Sequence, residues 1–223
     1  MSTLMSHGLG RRHVLDPRDA DYPLKAAIPA TTTRQYRYWW SNGAWLNQGS
    51  TGTCVGHAWA HYVEDGPVSH PGTIDPFAVY AEATQLDSWP ENDNGDLNFG
   101  TSIRAGAQAL VARGLVSTYL WTWNLEELVT ALLTTGPVVV GTVWTDAMFT
   151  PDAQGVVRYT GNPVGGHAYV LNGVTRTKGM VRAKNSWGRG WALSGTFWVP
   201  FEDMERLIAD DGEVCLAVER RSA

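Results

Sequence analysis

Apolar residues recur at helical spacing through the first half of the chain. After Cys54 they stand three and four residues apart, which predicts a helix with one buried face. Three further stretches follow, each opened by a residue that can cap a helix. The four predicted helices run from Cys54 to about Gly66, from Asp75 to about Gln85, from Thr101 or Ser102 to Gly114, and from Asn124 to about Thr135.

The pattern changes after Pro137, where short runs of β-branched and aromatic residues alternate with glycine-rich turns. Strands are therefore expected at 138–144, 155–159, 167–175, 180–187, 195–200 and 213–220. Helices in the first half and antiparallel strands in the second half predict an α+β fold with two lobes. We expect a helical lobe at about 48–136, a β lobe at about 137–223 and a functional site in the cleft between them.

The N-terminal residues differ in character from both lobes. Residues 1–30 are polar and contain three spaced prolines, which predicts an extended arm rather than a packed element. We therefore divide the chain into an arm at 1–35 and one folded domain at 36–223.

Composition and charge narrow the classes of function. The 223 residues are 43% hydrophobic and 17% charged, as is typical of a globular protein. A net charge of −5 and a pI near 5.6 give no reason to expect nucleic acid as a partner, because phosphate binding needs clustered lysine and arginine. No apolar run approaches the roughly 18 residues of a membrane span, so no membrane partner is expected.

The cysteine count indicates a reducing compartment. The chain has only two cysteines, Cys54 and Cys215, whereas a secreted scaffold normally carries several pairs. We interpret them as free thiols, with a bridge between them as the less favoured alternative. The N-terminus lacks the apolar stretch of a signal peptide, so a cytoplasmic location is expected. No metal or other cofactor is expected, because zinc-ligand spacings are missing, although His57 and His61 stand one helical turn apart.

Cys54 is the candidate nucleophile. It begins the first predicted helix, where unpaired backbone N–H groups and the positive end of the helix dipole stabilise a thiolate. Cys215 lies instead in an apolar strand pattern, where burial raises the pKa of a thiol and makes it unreactive.

A thiolate nucleophile needs a partner for proton transfer and a group that orients this partner. His167 follows two glycines and begins a predicted strand. The side chain of Asn185, on the next predicted strand, is suited to accept a hydrogen bond from the imidazole and fix its orientation. The amide of Gln48, six residues before Cys54, is suited to donate to an oxyanion alongside the backbone N–H of Cys54.

Three sequence blocks resemble the papain family of cysteine peptidases. They are QGSTGTC at 48–54, GGHAYVLNGV at 165–174 and KNSWGRGW at 184–191, in the family's order of Gln, Cys, His and Asn. The Asn-Ser-Trp-Gly block with Gly-Trp after it is the most specific of the three. The block GTSIR at 100–104 is similar to compact prokaryotic and viral members without a long pro-segment, so a prokaryotic or viral origin is expected.

The resemblance implies a papain-like fold and a cysteine endopeptidase that works through an acyl-enzyme on a peptide or protein substrate. The roles it implies are nucleophile for Cys54, imidazolium partner for His167, orientation of that histidine for Asn185, and oxyanion donor for Gln48. It also places Gly52 and Gly166 beside the substrate, and Trp187 where its ring shields the hydrogen bond between histidine and asparagine.

The family usually blocks its groove before activation, so the resemblance implies that arm residues 1–30 lie across the cleft and restrain activity. The sequence departs from the family at two positions. Thr51 replaces a cysteine that is normally disulfide-bonded, which agrees with a reducing compartment, and Val55 replaces an aromatic residue behind the nucleophile.

Several alternatives stay open on the sequence alone. A peptidoglycan amidase or endopeptidase uses the same chemistry, and only its substrate groove differs. A catalytically silent papain-like domain that binds peptides is favoured by the departures at Thr51 and Val55 and opposed by the intact catalytic set. A transglutaminase-like acyl transferase would ordinarily carry a carboxylate at Asn185. His57 is disfavoured as the base, because a side chain on the helix of Cys54 usually points away from the reactive side of the thiol.

Overall fold

The computed structural model of this chain describes residues 7–40, 43–68, 70, 74–89 and 95–219. Its helices are α1 (Cys54–Asp65), α2 (Pro76–Thr84), α3 (Ile103–Ala112), α4 (Leu125–Thr134) and α5 (Phe201–Ala209). Its strands are β1 (Tyr36–Tyr38), β2 (Val116–Thr122), β3 (Val138–Thr145), β4 (Pro163–Thr175), β5 (Met180–Lys184), β6 (Thr196–Pro200) and β7 (Glu213–Glu219). This mixture of helices and antiparallel strands confirms the predicted α+β class.

One antiparallel sheet organises the molecule. Its strands follow the order β2-β7-β3-β4-β5-β6, and β1 also pairs with β4. The register between β3 and β4 places Gly141 opposite Ala168, and the register between β3 and β7 places Gly141 opposite Glu213. A single row across the sheet therefore joins Ala168, Gly141 and Glu213.

The predicted helix caps form as the sequence indicates. Asp75 accepts a hydrogen bond from the backbone of Phe77 at the start of α2, and Ser102 and Asn124 cap α3 and α4 in the same manner. The start of α1 differs, because Thr53 makes no capping bond with its side chain. The side chain of Thr53 thus leaves the first backbone N–H groups of α1 available to donate to groups beside Cys54.

Three expectations about strands and helices were wrong or incomplete. Residues 155–159 form only an isolated bridge from Val156 to Trp198 instead of a strand, because the side chain of Asp152 bonds the backbone of Val156 and curls the segment into a turn. β2 is a strand within the lobe that was expected to be helical, at about 48–136, and it pairs with β7. α5 was missed because its apolar stripe follows β6 without a break.

The N-terminal arm is more packed than its polar composition predicts. It contains two 3₁₀ turns, at Pro17–Asp21 and Leu24–Ala27, and the side chain of Leu24 is fully buried. The carbonyl of Tyr22 accepts a hydrogen bond from the backbone of Trp121 in β2. The expectation of an unpacked arm was therefore wrong for residues 17–27, where one buried leucine and one strand edge hold the chain in place.

The sheet divides the apolar core into two clusters. One cluster joins the sheet to α4 and α5. The other joins α1 and α3 to the opposite face of the sheet, through Val139, Ala168 and Val170. Cys54 belongs to the second cluster, so the first turn of α1 is fixed directly against β4. In the part of the chain that the structure describes, no helix has both the length and the apolar character that crossing a bilayer requires.

A buried ion pair fixes the end of β5 to the end of α1. Lys184 Nζ lies 2.7 Å from Asp65 Oδ2, and both side chains are completely buried. We expect Lys184→Met to lower the free energy of unfolding by about 3–5 kcal/mol, because it leaves a buried carboxylate without its cation. Urea denaturation measures this change. The double variant with Asp65→Leu should recover much of the loss, and a single variant as stable as the parent would contradict the prediction.

Candidate active site

Cys54 is buried at the first position of α1. Its thiol receives hydrogen bonds from the backbone of Ala168 in β4, from Val55 and from Gly10 in the arm. Burial nevertheless raises the pKa of the Cys54 thiol to about 11, because removal of water penalises the thiolate more than these bonds favour it. The thiol of Cys54 is therefore protonated near neutral pH while it is buried in this way.

His167 and Asn185 form a directed hydrogen bond. His167 Nε2 lies 2.8 Å from Asn185 Oδ1, and the same oxygen accepts a hydrogen bond of 2.8 Å from the backbone N–H of Ser186. Because an N–H can only donate, Oδ1 is an acceptor, and the imidazole proton must lie on Nε2. Nδ1 of His167 is then free to accept a proton, and among the described residues this buried atom has no hydrogen-bond partner.

Aromatic rings enclose the imidazole of His167. The ring of Trp187 stacks on it at a centroid distance of 4.6 Å, and Trp144 meets it edge-on at 4.9 Å. This burial lowers the pKa of His167 to about 4, although the hydrogen bond to Asn185 opposes the shift. Trp187 is itself buried, as are His167 and Asn185. With both residues buried, Cys54 is thus a neutral thiol and His167 a neutral imidazole.

Gln48 is held with its amide group facing the arm. Its Oε1 accepts a hydrogen bond of 2.6 Å from Ser186 Oγ, which fixes which end of the amide donates. Its Nε2 donates to the carbonyl of Thr51 at 2.7 Å and to the carbonyl of Gly8 at 3.0 Å. The Nε2 group of Gln48, which the sequence analysis assigns to an oxyanion, therefore already donates to a peptide carbonyl of the arm.

Arm residues 8–12 run as an extended peptide past these groups. The carbonyl of Gly166 accepts hydrogen bonds from the backbone of Gly10 at 3.1 Å and of Arg11 at 3.0 Å. Thr101 pairs with the other edge of the arm, since its N–H donates to Gly10 and its carbonyl accepts from Arg12, both at 2.9 Å. The arm therefore forms strand-like bonds on both sides of the cleft, as an extended peptide ligand would.

Glycine is required where the arm meets the first turn of the site. A Cβ atom at Gly8 would overlap the carbonyl oxygen of Thr51, and one at Gly10 would overlap the carbonyl oxygen of Gly52. At Gly166, on the other side of the cleft, a Cβ atom would overlap the carbonyl oxygen of Arg11. Gly52 and Gly166, both expected beside the substrate, thus line the path that the arm follows.

Five of the seven predicted site residues lie against arm residues 7–11, and His167 joins this group through its contacts with Trp187 and Asn185. Cys54 contacts Gly10 and the residue after His167, Gln48 contacts Gly8, and the Trp187 ring stacks on His7 at 4.6 Å. Among the described residues, no three His, Cys, Asp or Glu side chains come together in an arrangement that could hold a metal ion.

The two histidines of α1 and the second cysteine have other partners. His57 is bonded through Nδ1 to the carbonyl of Thr53 at 3.0 Å, and burial lowers its pKa to about 4. His61 accepts a hydrogen bond from the backbone of Leu46. Cys215 is a free thiol, as Cys54 is, and its burial in β7 raises its pKa well above the ordinary value.

Sequence reasoning missed the glycines of the arm and the buried ion pair between Arg11 and Glu213, in which Nε of Arg11 lies 2.9 Å from Oε2 of Glu213. A signal was present in both regions. Glycine stands at every second position in Gly8-Leu9-Gly10-Arg11, so one face of the extended peptide carries no side chains and fits into a narrow cleft. Glu213 begins a strand whose next five residues are apolar, and a buried acid in such a position needs a partner.

Comparison with known proteins relates this geometry to solved structures. No protein-family sequence model matches the chain, and neither does any curated protein sequence. Xylellain, a cysteine protease from Xylella fastidiosa, superposes with a TM-score of 0.78 at 15% identity, over 99% of this chain and 99% of that chain. The chain has the papain-like fold. This confirms the resemblance that the three sequence blocks indicate.

Two further solved structures share the papain-like fold at lower TM-scores. The Carica candamarcensis cysteine protease CMS1MS2, solved in complex with E-64, matches with a TM-score of 0.61 at 16% identity, over 84% of this chain and 99% of that chain. Digestive procathepsin L2 proteinase from Tenebrio molitor matches with a TM-score of 0.63 at 16% identity, over 98% of this chain and 76% of that chain. The papain-like fold is thus shared with proteins whose sequences have diverged widely.

Proposed function

We propose that this chain is a cysteine peptidase that hydrolyses peptide bonds through an acyl-enzyme. The observation that carries the proposal is the extended peptide of the arm, which lies over Cys54 with the carbonyl of Gly8 on the amide of Gln48. A site that binds the chain's own backbone on both edges is shaped for a peptide. The structural neighbours described as cysteine proteases support the same assignment.

The chemistry begins with proton transfer from Cys54 to Nδ1 of His167, the free nitrogen of the ring. The thiolate attacks the carbonyl carbon of the substrate, and the imidazolium then gives its proton to the leaving amine as the C–N bond breaks. Water attacks the resulting thioester, again with His167 as base, and releases the acid and the thiol. Asn185 holds the ring in the tautomer that this sequence of transfers requires.

The negative oxygen of each tetrahedral intermediate needs donors that are fixed before the reaction. Nε2 of Gln48 supplies one, because Ser186 holds the far end of the amide. The backbone N–H of Cys54, at the uncapped start of α1, supplies the second. Donors of this kind contribute a factor of about 10²–10³ each to the rate of acyl transfer.

The arm is an inhibitor of this peptidase in the closed state. It fills the positions of a substrate, covers Cys54 and keeps water from both members of the proton-transfer pair. Loss of solvent favours the neutral forms of Cys54 and His167 over the thiolate and imidazolium that the reaction needs. The two free cysteines also agree with a cytoplasmic location, where thiols stay reduced.

The test compares how two full-length variants cleave an unfolded protein. Gly10→Val, which cannot keep the arm in its path, is incubated with denatured casein beside Gly10→Val/Cys54→Ser. We expect cleavage by the first variant and a loss of at least about 10⁴-fold in the second, because the oxygen nucleophile lacks an activated thiolate. Equal cleavage by both would show that Cys54 is not the nucleophile. Absence of cleavage by either, with casein binding retained, would favour the silent peptide-binding domain.

A further inference from the structure

The loop that leads from Gln48 to Cys54 is held together by its own side chains. The hydroxyl of Thr51 donates to the backbone carbonyl of Gln48 at 2.7 Å, and the hydroxyl oxygen of Thr53 lies 2.7 Å from that of Thr51. Nδ1 of His57 lies 3.2 Å from Oγ1 of Thr53 and 3.0 Å from its carbonyl oxygen. These contacts form one continuous chain of hydrogen bonds from α1 to Gln48.

The direction of each bond in this chain is fixed by the atoms at its two ends. A carbonyl oxygen can only accept, so the single hydroxyl proton of Thr51 points at Gln48. The bond between the two threonines must then use the proton of Thr53. Oγ1 of Thr53 accepts from His57, whose Nδ1 carries a proton because it also donates to a carbonyl oxygen. The chain therefore runs from the imidazole through both hydroxyls to Gln48, and every donor in it has an acceptor.

Thr51 also holds the side-chain amide of Gln48. Its carbonyl accepts a hydrogen bond of 2.7 Å from Nε2, while Oγ of Ser186 donates to Oε1 at 2.6 Å. An amide nitrogen carries two hydrogens, so the second hydrogen of Nε2 remains, and it is donated to the carbonyl of Gly8 at 3.0 Å. When the arm leaves, this second hydrogen becomes available to an oxyanion. Thr51 thus contacts both the backbone of Gln48 and the amide that serves the reaction.

The chain of hydrogen bonds constrains a loop that lacks a covalent cross-link at this point. The papain family, which the sequence resembles, has a disulfide-bonded cysteine at position 51, whereas this chain has threonine there. Thr53 and His57 are buried and Gln48 is only 2% exposed, so water does not readily replace a lost partner in this chain. The hydroxyl of Thr51 therefore supplies a non-covalent constraint where the family has a covalent one.

We propose that Thr51 is a positioning residue for the oxyanion donor, acting through its hydroxyl with Thr53 behind it. This inference rests on the proposed peptidase function. A donor stabilises the tetrahedral intermediate best when it is directed at the oxyanion before the charge develops. Loss of the Thr51 hydroxyl removes a donor from the carbonyl of Gln48 and loosens the loop, so Nε2 is no longer held in its direction. His57 is the outer end of the chain, and its removal leaves both hydroxyl bonds in place.

The test measures kcat and KM for a fluorogenic peptide in full-length Gly10→Val, in which the arm does not compete. We expect Thr51→Val, which keeps the shape of the side chain, to lower kcat by about 10- to 100-fold and to change KM by less than about 3-fold, because a misdirected donor weakens binding of the transition state alone. Thr51→Ser keeps the hydroxyl and should restore most of kcat. If Thr51→Val does not fold, Thr53→Val breaks only the second hydroxyl bond and should lower kcat by about 3- to 10-fold.

A double-variant comparison separates positioning from packing. In a Gln48→Ala background, Thr51→Val should lower kcat by less than about 2-fold more, because the group that Thr51 positions is gone. The pH dependence of Cys54 alkylation should be the same with and without the Thr51 hydroxyl, since thiolate formation does not use the oxyanion donor. Equal losses of kcat in both backgrounds, or a loss that Thr51→Ser does not restore, would overturn this inference and leave the peptidase intact. Absence of peptide cleavage in Gly10→Val itself would overturn the peptidase function, and this inference with it.

Discussion

We expect Gly10→Val to raise the rate at which iodoacetamide alkylates Cys54 at pH 7 by roughly 300-fold or more. A side chain at position 10 overlaps the carbonyl oxygen of Gly52, so the arm has to leave the cleft. The thiol then loses the burial that raises its pKa to about 11. A return to the ordinary pKa of about 8.5 alone increases the thiolate fraction by roughly 300-fold, and an ion pair with His167 adds to that factor.

Alkylation is followed from pH 4 to 9 with peptide mapping of the labelled cysteine. Gly190→Ala is the matched control, because a Cβ atom at Gly190 has open space around it and leaves the arm undisturbed. Cys215 serves as an internal control, since it is buried in β7 within the core cluster around α1 and α3 and should stay unlabelled in both variants. A rate in Gly10→Val no higher than in the parent would mean that the arm does not protect the thiol.

Much of the fold follows from local signals in the sequence. The caps of α2, α3 and α4 are short-range hydrogen bonds, so a residue type and its spacing are enough to place them. The long strand around His167 also follows from its β-branched and aromatic residues. Elements that depend on distant pairing were harder. β2 is stabilised by β7, almost a hundred residues later, and it was missed despite its β-branched and aromatic residues because it stands between two predicted helices.

The candidate site shows the same difference between local and long-range signals. Cys54, His167 and Asn185 were found because their blocks carry a recognisable order, and the structure shows His167 and Asn185 hydrogen-bonded. Arg11 and Glu213 stand 202 positions apart in the chain, and no local sequence pattern indicates that they pair. Only the fold brings the arm, the row through Gly141 and the carboxylate together, so this ion pair could not be predicted from spacing.

His167 and His57 provide the sharpest separation of a catalytic histidine from a structural one. Both are buried, and burial lowers the pKa of each to about 4, so the pKa alone does not distinguish them. Their surroundings do. Nε2 of His167 is bonded to the side chain of Asn185 in the next strand, whereas the ring of His57 is bonded back to Thr53 at the start of its own helix and meets Phe77 of α2 edge-on at 5.0 Å.

In the Gly10→Val background, we expect His167→Ala to lower kcat/KM for peptide cleavage by about 10³-fold or more, because the step loses its acid and base. His57→Ala should stay within a few-fold of the background. Alkylation below pH 8 gives an independent readout, since only the loss of His167 should return Cys54 to the titration of an ordinary thiol. Comparable losses in the two variants would assign both histidines to the packing of the lobes, and proton transfer would then need another partner for Cys54.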